Sequence, residues 1–171
     1  ETDAVMTEWE AQAASAIVVD PNSGEVLAMA SRPTYSPSDL ENVHPSAWRN
    51  QAINIVYEPG STFKPLVVAW GLQHELIKRD DRFDCENGEW KMGKRTLHDH
   101  HPYPVLSLTD VLVKSSNIGM AKIGTAMTND ELFRTTLAFG FGRLTGIDLP
   151  GEVSGIVRPR RKWNGYSTGS V

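Results

Sequence analysis

Nothing in this sequence approaches the run of about 20 apolar residues that a membrane-crossing helix requires. No basic segment followed by an apolar one opens it either, so if the parent protein is secreted or anchored, that address is expected to lie outside these residues. Cysteine is nearly absent. Cys85 stands alone, which excludes an internal disulfide, and no neighbour in sequence would lower its pKa toward a nucleophilic thiolate. A basic footprint is missing too: 17 Lys and Arg against 21 Asp and Glu leave a net charge of −4, which argues against nucleic acid as a partner. There is no internal repeat and no low-complexity tract. What is there is 171 residues, 40% apolar and 22% charged, enough for one ordinary domain with a core.

Several familiar sites are also excluded. His98-Asp99-His100-His101 invites a metal reading, but adjacent ligands rarely converge on one ion, and a polar loop near a cleft fits better. Gly140, Gly142 and Gly146 miss the dinucleotide-binding spacing by one residue and follow a helix rather than a strand. Arg158-Pro159-Arg160-Arg161-Lys162 reads as a solvated loop, and Arg49 as a brace for the segment that follows it. No metal and no cofactor is expected.

Local patterns predict an α+β chain. Residues 1–14 read as the end of a polar helix. A β-hairpin follows over 15–31, with Asp20-Pro21-Asn22-Ser23-Gly24 as its turn. After a Pro-rich loop, a helix is predicted from near Ser61 to about Lys78, apolar on every side over Leu66–Trp70 and therefore buried. Residues 80–106 read as irregular around an Asn87-Gly88 turn. A short helix capped by Ser107 or Thr109 runs through Val113, a second from Ile118 to Met127, and a third starts at an Asn129 cap and stops at Gly140. The last thirty residues read as loop.

Two constellations carry chemistry. In Glu58-Pro59-Gly60-Ser61-Thr62-Phe63-Lys64-Pro65 a serine and a lysine three apart at a helix start face the same way. The free N–H groups and dipole of that helix end favour negative charge, so Ser61's own N–H is placed to stabilise an oxyanion. The same positive end and apolar neighbours push Lys64 toward its neutral form, able to take the Ser61 proton. A capping serine and a snorkelling lysine would share those four letters. The second constellation, Lys114-Ser115-Ser116-Asn117, lies between two helical runs and offers a hydroxyl and an amide two residues apart. An N-cap for the next helix is compatible with that role.

Residues 49–65, with Arg49-Asn50, Tyr57-Glu58-Pro59-Gly60 and Ser61-Thr62-Phe63-Lys64-Pro65, resemble the active-serine region of class B penicillin-binding proteins. Lys114 to Gly119 resembles that family's second motif. Phe139-Gly140-Phe141-Gly142, Thr145-Gly146-Ile147 and Leu149-Pro150-Gly151-Glu152 resemble the stretch after it, and Asp20 to Met29 the opening hairpin. The likeness runs in order from about residue 14 to the end. It implies a penicillin-binding transpeptidase and serine β-lactamase-like fold, with helices packed on a partial antiparallel sheet. It also implies a D,D-transpeptidase that cross-links peptidoglycan stem peptides and is acylated by β-lactams. By that resemblance Ser61 is the nucleophile, Lys64 its base, Ser115 the proton relay and Asn117 a contact for Lys64 and the substrate amide.

The family's third motif, Lys-Ser/Thr-Gly, is absent; Ser167-Thr168-Gly169 imitates it without the lysine. The 171 residues are therefore expected to be an incomplete transpeptidase domain, inactive or nearly so, with an uncovered sheet edge that favours dimerisation or strand exchange. The resemblance places the parent at the extracytoplasmic face of a bacterial inner membrane, beside a membrane glycosyltransferase and division or elongation proteins. Two rivals remain open: a class D-like serine β-lactamase, which shares Ser-Thr-Phe-Lys, and a non-catalytic module that senses β-lactam or wall peptide. Asn117, the missing Glu-x-x-Leu-Asn signature and the run from Phe139 to Glu152 favour the transpeptidase.

Overall fold

A computed structural model describes residues 1–169, which divide into two compact units. The first comprises Glu1–Tyr57 and Leu144–Ser154. It opens with helix α1 (Thr2–Glu8), followed by strands β1 (Ala14–Val19) and β2 (Val26–Arg32). The strands form the expected antiparallel hairpin, with Ala16 opposite Ala30, Val18 opposite Ala28, and a bulge between Val18 and Val19. The turn forms because the Asp20 carboxylate accepts the Asn22 N–H at 2.8 Å, while Gly24 takes φ +76°, open to glycine without strain. Arg32 ties the hairpin to α1 through an ion pair with Asp3. Helix α2 (Gln51–Asn54) is capped by the Asn50 side chain, which accepts the Ala52 N–H at 3.1 Å.

The second unit comprises Glu58–Arg143 and the described residues from Gly155 onward, and it carries all four candidate residues. A 3-10 turn at Gly60–Phe63 leads directly into helix α3 (Lys64–Gln73). Strands β3 (Arg82–Asp84), β4 (Glu89–Met92), β5 (Arg95–His98) and β6 (Val105–Ser107) follow, paired β3 with β6 and β4 with β5, all antiparallel. Helices α4 (Leu108–Val113), α5 (Asn117–Thr125) and α6 (Asn129–Ala138) complete the regular structure apart from 3-10 turns at Glu86–Gly88 and Arg160–Lys162. The α+β expectation holds, with its antiparallel component in three two-stranded sheets. No helix among the described residues is long and apolar enough to cross a membrane.

The core lies in this second unit. Val67, Val111, Ile118, Met120 and Ile123 are fully buried, joined by Leu106, Leu108, Met127 and Leu132. Helices α4 and α5 approach closely because residue 119 is glycine: a Cβ there would meet Val111 Cγ2 at 2.6 Å.

Four local expectations need correction. Residues 80–106 are not irregular but hold four strands. Each is only three or four residues long, too short for a period-2 pattern to stand out from loop. Helix α3 ends at Gln73 rather than near Lys78. The N–H of Leu76 turns back to the Gly71 carbonyl (2.9 Å) across Glu75 at φ +56°, a left-handed helix stop. Nor is α3 buried all round, since Ala69 and Pro65 are exposed while Val67, Val68 and Gly71 are not. Finally, α6 is capped by Thr128, not Asn129. A capping box requires an acid three residues on, and Glu131 returns its carboxylate to the Thr128 N–H.

Candidate active site

Ser61 sits inside the 3-10 turn that precedes α3, exposed, with its carbonyl accepting the Lys64 N–H. It lies in the first turn, where a backbone N–H finds no helical acceptor. Among the described residues its hydroxyl forms no hydrogen bond. Lys64 begins α3 one turn later and is 3% exposed.

That burial is tolerable only because the ammonium is fully engaged. Its Nζ donates to the Ser115 carbonyl at 2.8 Å, to Ser115 Oγ at 3.1 Å and to Asn117 Oδ1 at 2.9 Å. Three donors meet three acceptors, all from the second constellation. Burial nevertheless pushes the Lys64 pKa below its ordinary value, and the Asp99 carboxylate pulls it partly back.

The acceptors converge because of how α4 ends. The Ser115 N–H returns to the Leu112 carbonyl (3.1 Å) and the Ser116 N–H to the Val111 carbonyl (3.0 Å). This paired pattern, a Schellman motif, puts the residue after the cap in the left-handed region. That residue is Ser115, at φ +52°, where glycine is the usual choice. The turn aims both its carbonyl and its hydroxyl at Lys64. Ser116, 1% exposed, then caps α5 by accepting the Gly119 N–H at 2.9 Å. Asn117 is consequently the first residue of α5 rather than a loop residue, and its Nδ2 donates to the His98 carbonyl at 3.0 Å.

The structure thus brings together Lys64, Ser115 and Asn117 and sets Ser61 one turn before Lys64. Sequence reasoning passed over a fifth residue. The sequence reads Asp99 as part of a polar loop near a cleft rather than as a metal ligand, and among the described residues no group of three or more His, Cys, Asp or Glu side chains is arranged to hold an ion. Instead its carboxylate accepts the Ser116 hydroxyl at 2.7 Å and the N–H groups of Asn117 (2.5 Å) and Ile118 (3.1 Å). No local sequence signal singles it out, because these partners lie 17 to 19 residues away.

A cavity of about 430 Å³ in the same unit is walled by Phe63, Phe141, Trp163, Arg95 and Arg158, but none of the four candidate residues lines it.

Residues 14–171 match the family model described as the penicillin binding protein transpeptidase domain. The peptidoglycan D,D-transpeptidase FtsI of Escherichia coli K12 is 39% identical over 155 residues, covering 91% of this chain and 26% of that protein. Stage V sporulation protein D of Bacillus subtilis is 36% identical over 155 residues, covering 84% of this chain and 23% of that protein. The chain therefore spans about a quarter of the length of these relatives. Among solved structures, the apo transpeptidase domain of Burkholderia pseudomallei penicillin-binding protein 3 superposes with a TM-score of 0.86 at 27% identity, over 99% of this chain and 46% of that one. A peptidoglycan glycosyltransferase from Burkholderia ambifaria gives the same TM-score at 29% identity, over 99% of this chain and 49% of that one.

Proposed function

This chain belongs to the penicillin-binding protein transpeptidase family, and from that premise we propose that its parent is a serine D,D-transpeptidase that cross-links peptidoglycan and is acylated by β-lactams. The observation that carries the reading is the buried Lys64 ammonium, held by Ser115 and Asn117 one turn from an exposed serine.

In this mechanism Lys64 acts in its neutral form, which its burial favours. Its Nζ takes the proton of Ser61 Oγ as that oxygen attacks the penultimate D-Ala carbonyl of a stem peptide. The carbonyl π-electrons move onto oxygen, and the Ser61 N–H donates to the oxyanion. As the intermediate collapses, the C–N bond to the terminal D-Ala breaks. The leaving amine receives a proton from Ser115 Oγ, which is replenished by Lys64 across their 3.1 Å contact. Asn117 holds the ammonium with Oδ1. An amine of a neighbouring strand then attacks the Ser61 ester, and the same groups return the proton to serine.

Because the 171 residues contain no Lys-Ser/Thr-Gly, a second oxyanion donor and a carboxylate-binding residue are wanting, and this chain alone is expected to be inactive or nearly so. A fluorescent penicillin tests both statements. Stoichiometric labelling is expected on the full-length parent, lost in Ser61→Ala, with little on the 171-residue chain. A parent that stays unlabelled refutes the reading, and rapid labelling of the short chain refutes its inactivity. Persistence of the adduct separates a transpeptidase from a β-lactamase, which sheds it.

The parent's place is the extracytoplasmic face of the bacterial inner membrane, with a glycosyltransferase and division or elongation proteins as partners. In the isolated chain the β1–β2 hairpin exposes Ile17, Val18, Val19, Val26 and Leu27. That apolar surface favours self-association by dimerisation or strand exchange. Light scattering is expected to show a mass that rises with concentration; a constant monomer mass refutes it.

A further inference from the structure

We propose that Asp99 is a positioning residue, whose carboxylate holds Ser116 and Asn117, and through Ser116 the preceding Ser115, in the arrangement that receives Lys64. Asp99 follows β5 directly, so it reaches the site from a different element than either constellation. Its two oxygens divide the work. One accepts the buried Ser116 hydroxyl, and the other accepts the first two N–H groups of α5, those of Asn117 and Ile118. Those amides have no helical acceptor, and a carboxylate there meets the positive end of the helix. The Ser116 hydroxyl, by donating to Asp99, keeps its lone pairs for the Gly119 N–H. Asp99 therefore fixes Ser116 and Asn117, the two residues that follow Ser115, and through them the direction of all three Lys64 acceptors.

The carboxylate also acts through its charge. The titratable groups that interact with it are Lys64 from α3 and the buried Cys85 thiol after β3. Asp84 and Lys122 bear on that same thiol, while His98 and His100, beside Asp99 in sequence, are exposed. Negative charge at Asp99 stabilises the Lys64 ammonium and opposes the proton release that a general base needs. Geometry and charge thus pull in opposite directions on the same base.

Two variants separate the contributions. Asp99→Asn keeps an amide oxygen for the α5 N–H groups and removes the charge. Asp99→Ala removes both. The structural claim is read on the 171-residue chain, by NMR titration of lysine 13Cε in each variant. The catalytic claim rests on the transpeptidase reading and uses penicillin acylation of the full-length parent as a function of pH. Asp99→Asn is expected to titrate Lys64 at lower pH and to move the acid limb of the acylation profile the same way. Asp99→Ala is expected to lose about 100-fold in acylation at every pH, the scale on which reacting groups suffer when misplaced by about 1 Å. An Asp99→Asn chain that folds natively, with Lys64 titrating unchanged, overturns the charge role. Full acylation by Asp99→Ala overturns the positioning role. A native parent that never acylates refutes the transpeptidase reading instead, and leaves the NMR result to judge Asp99.

Discussion

Replacing Lys64 by methionine is expected to slow acylation of Ser61 in the full-length parent by about 10²- to 10⁴-fold at neutral pH, the range that loss of a positioned general base costs. Methionine preserves the length of the buried stem, so the helix that carries Ser61 has no steric reason to move. What disappears is, among the described residues, the one α3 side chain that hydrogen-bonds the second constellation. Burst labelling with a fluorescent penicillin measures the loss, and a variant within threefold of the native rate would remove Lys64 from the mechanism. The same substitution has a signature in stability. The folded pKa of Lys64 is lowered, so between that value and the unfolded value of 10.5 the unfolded chain holds more protons. Stability from this group therefore rises with pH across that window, and below it the folded protein carries a charged, desolvated lysine. Urea melts are expected to show the native chain gaining on Lys64→Met as pH rises toward 10.5. A difference that stays flat with pH would mean that Lys64 titrates alike in both states.

Ser115→Gly is expected to separate stability from activity. A side chain in the left-handed region costs roughly 1 kcal/mol that glycine does not incur. Ser115 stands there at φ +52°, at the position of a helix stop where glycine is common. Glycine relieves that strain and keeps the carbonyl that accepts Lys64 at 2.8 Å, while losing the hydroxyl at 3.1 Å. Ser115→Ala loses the same hydroxyl and keeps the strain. Thermal or urea unfolding should therefore find the glycine variant more stable than the alanine variant by about 1 kcal/mol. Both should acylate the parent slowly, by a factor of about 10² or more, because the leaving amine lacks its proton donor. Equal stability of the two variants would show that the turn does not impose the strained geometry. In the proposed mechanism, the serine whose backbone is strained supplies the proton-relay hydroxyl, so stability and chemistry oppose each other at this position.

Much of this was legible in the sequence. The hairpin announced itself through Asp20–Gly24, and α4 through the Ser107 or Thr109 cap, of which the structure uses Ser107, because turns and caps are written in local side chains. Ser61, Lys64, Ser115 and Asn117 stood out as two short motifs, and the structure joins Lys64 of the first to Ser115 and Asn117 of the second. Strands β3 to β6 were not, since three or four residues cannot display a period. The left-handed stop at Glu75 was also hidden, because it places a glutamate where glycine would have been the signal. Asp99 was hidden for another reason. Its partners Ser116, Asn117 and Ile118 lie 17 to 19 residues away, and no local pattern records a contact closed through tertiary structure.

The bonds around Lys64 have a consequence for how the molecule assembles. Helix α3 can form from its own residues, but the acceptors of its first side chain are 51 and 53 positions further along. Closing loops of that length costs conformational entropy before any contact returns it, so such pairings belong to the slow part of folding. Ser61 is in place once the turn before α3 exists, whereas Lys64 gains its acceptors only when distant segments have met. On the proposed mechanism, reactivity is therefore a late product of folding, and a chain that has gained its helices but not yet its core would carry an inert serine.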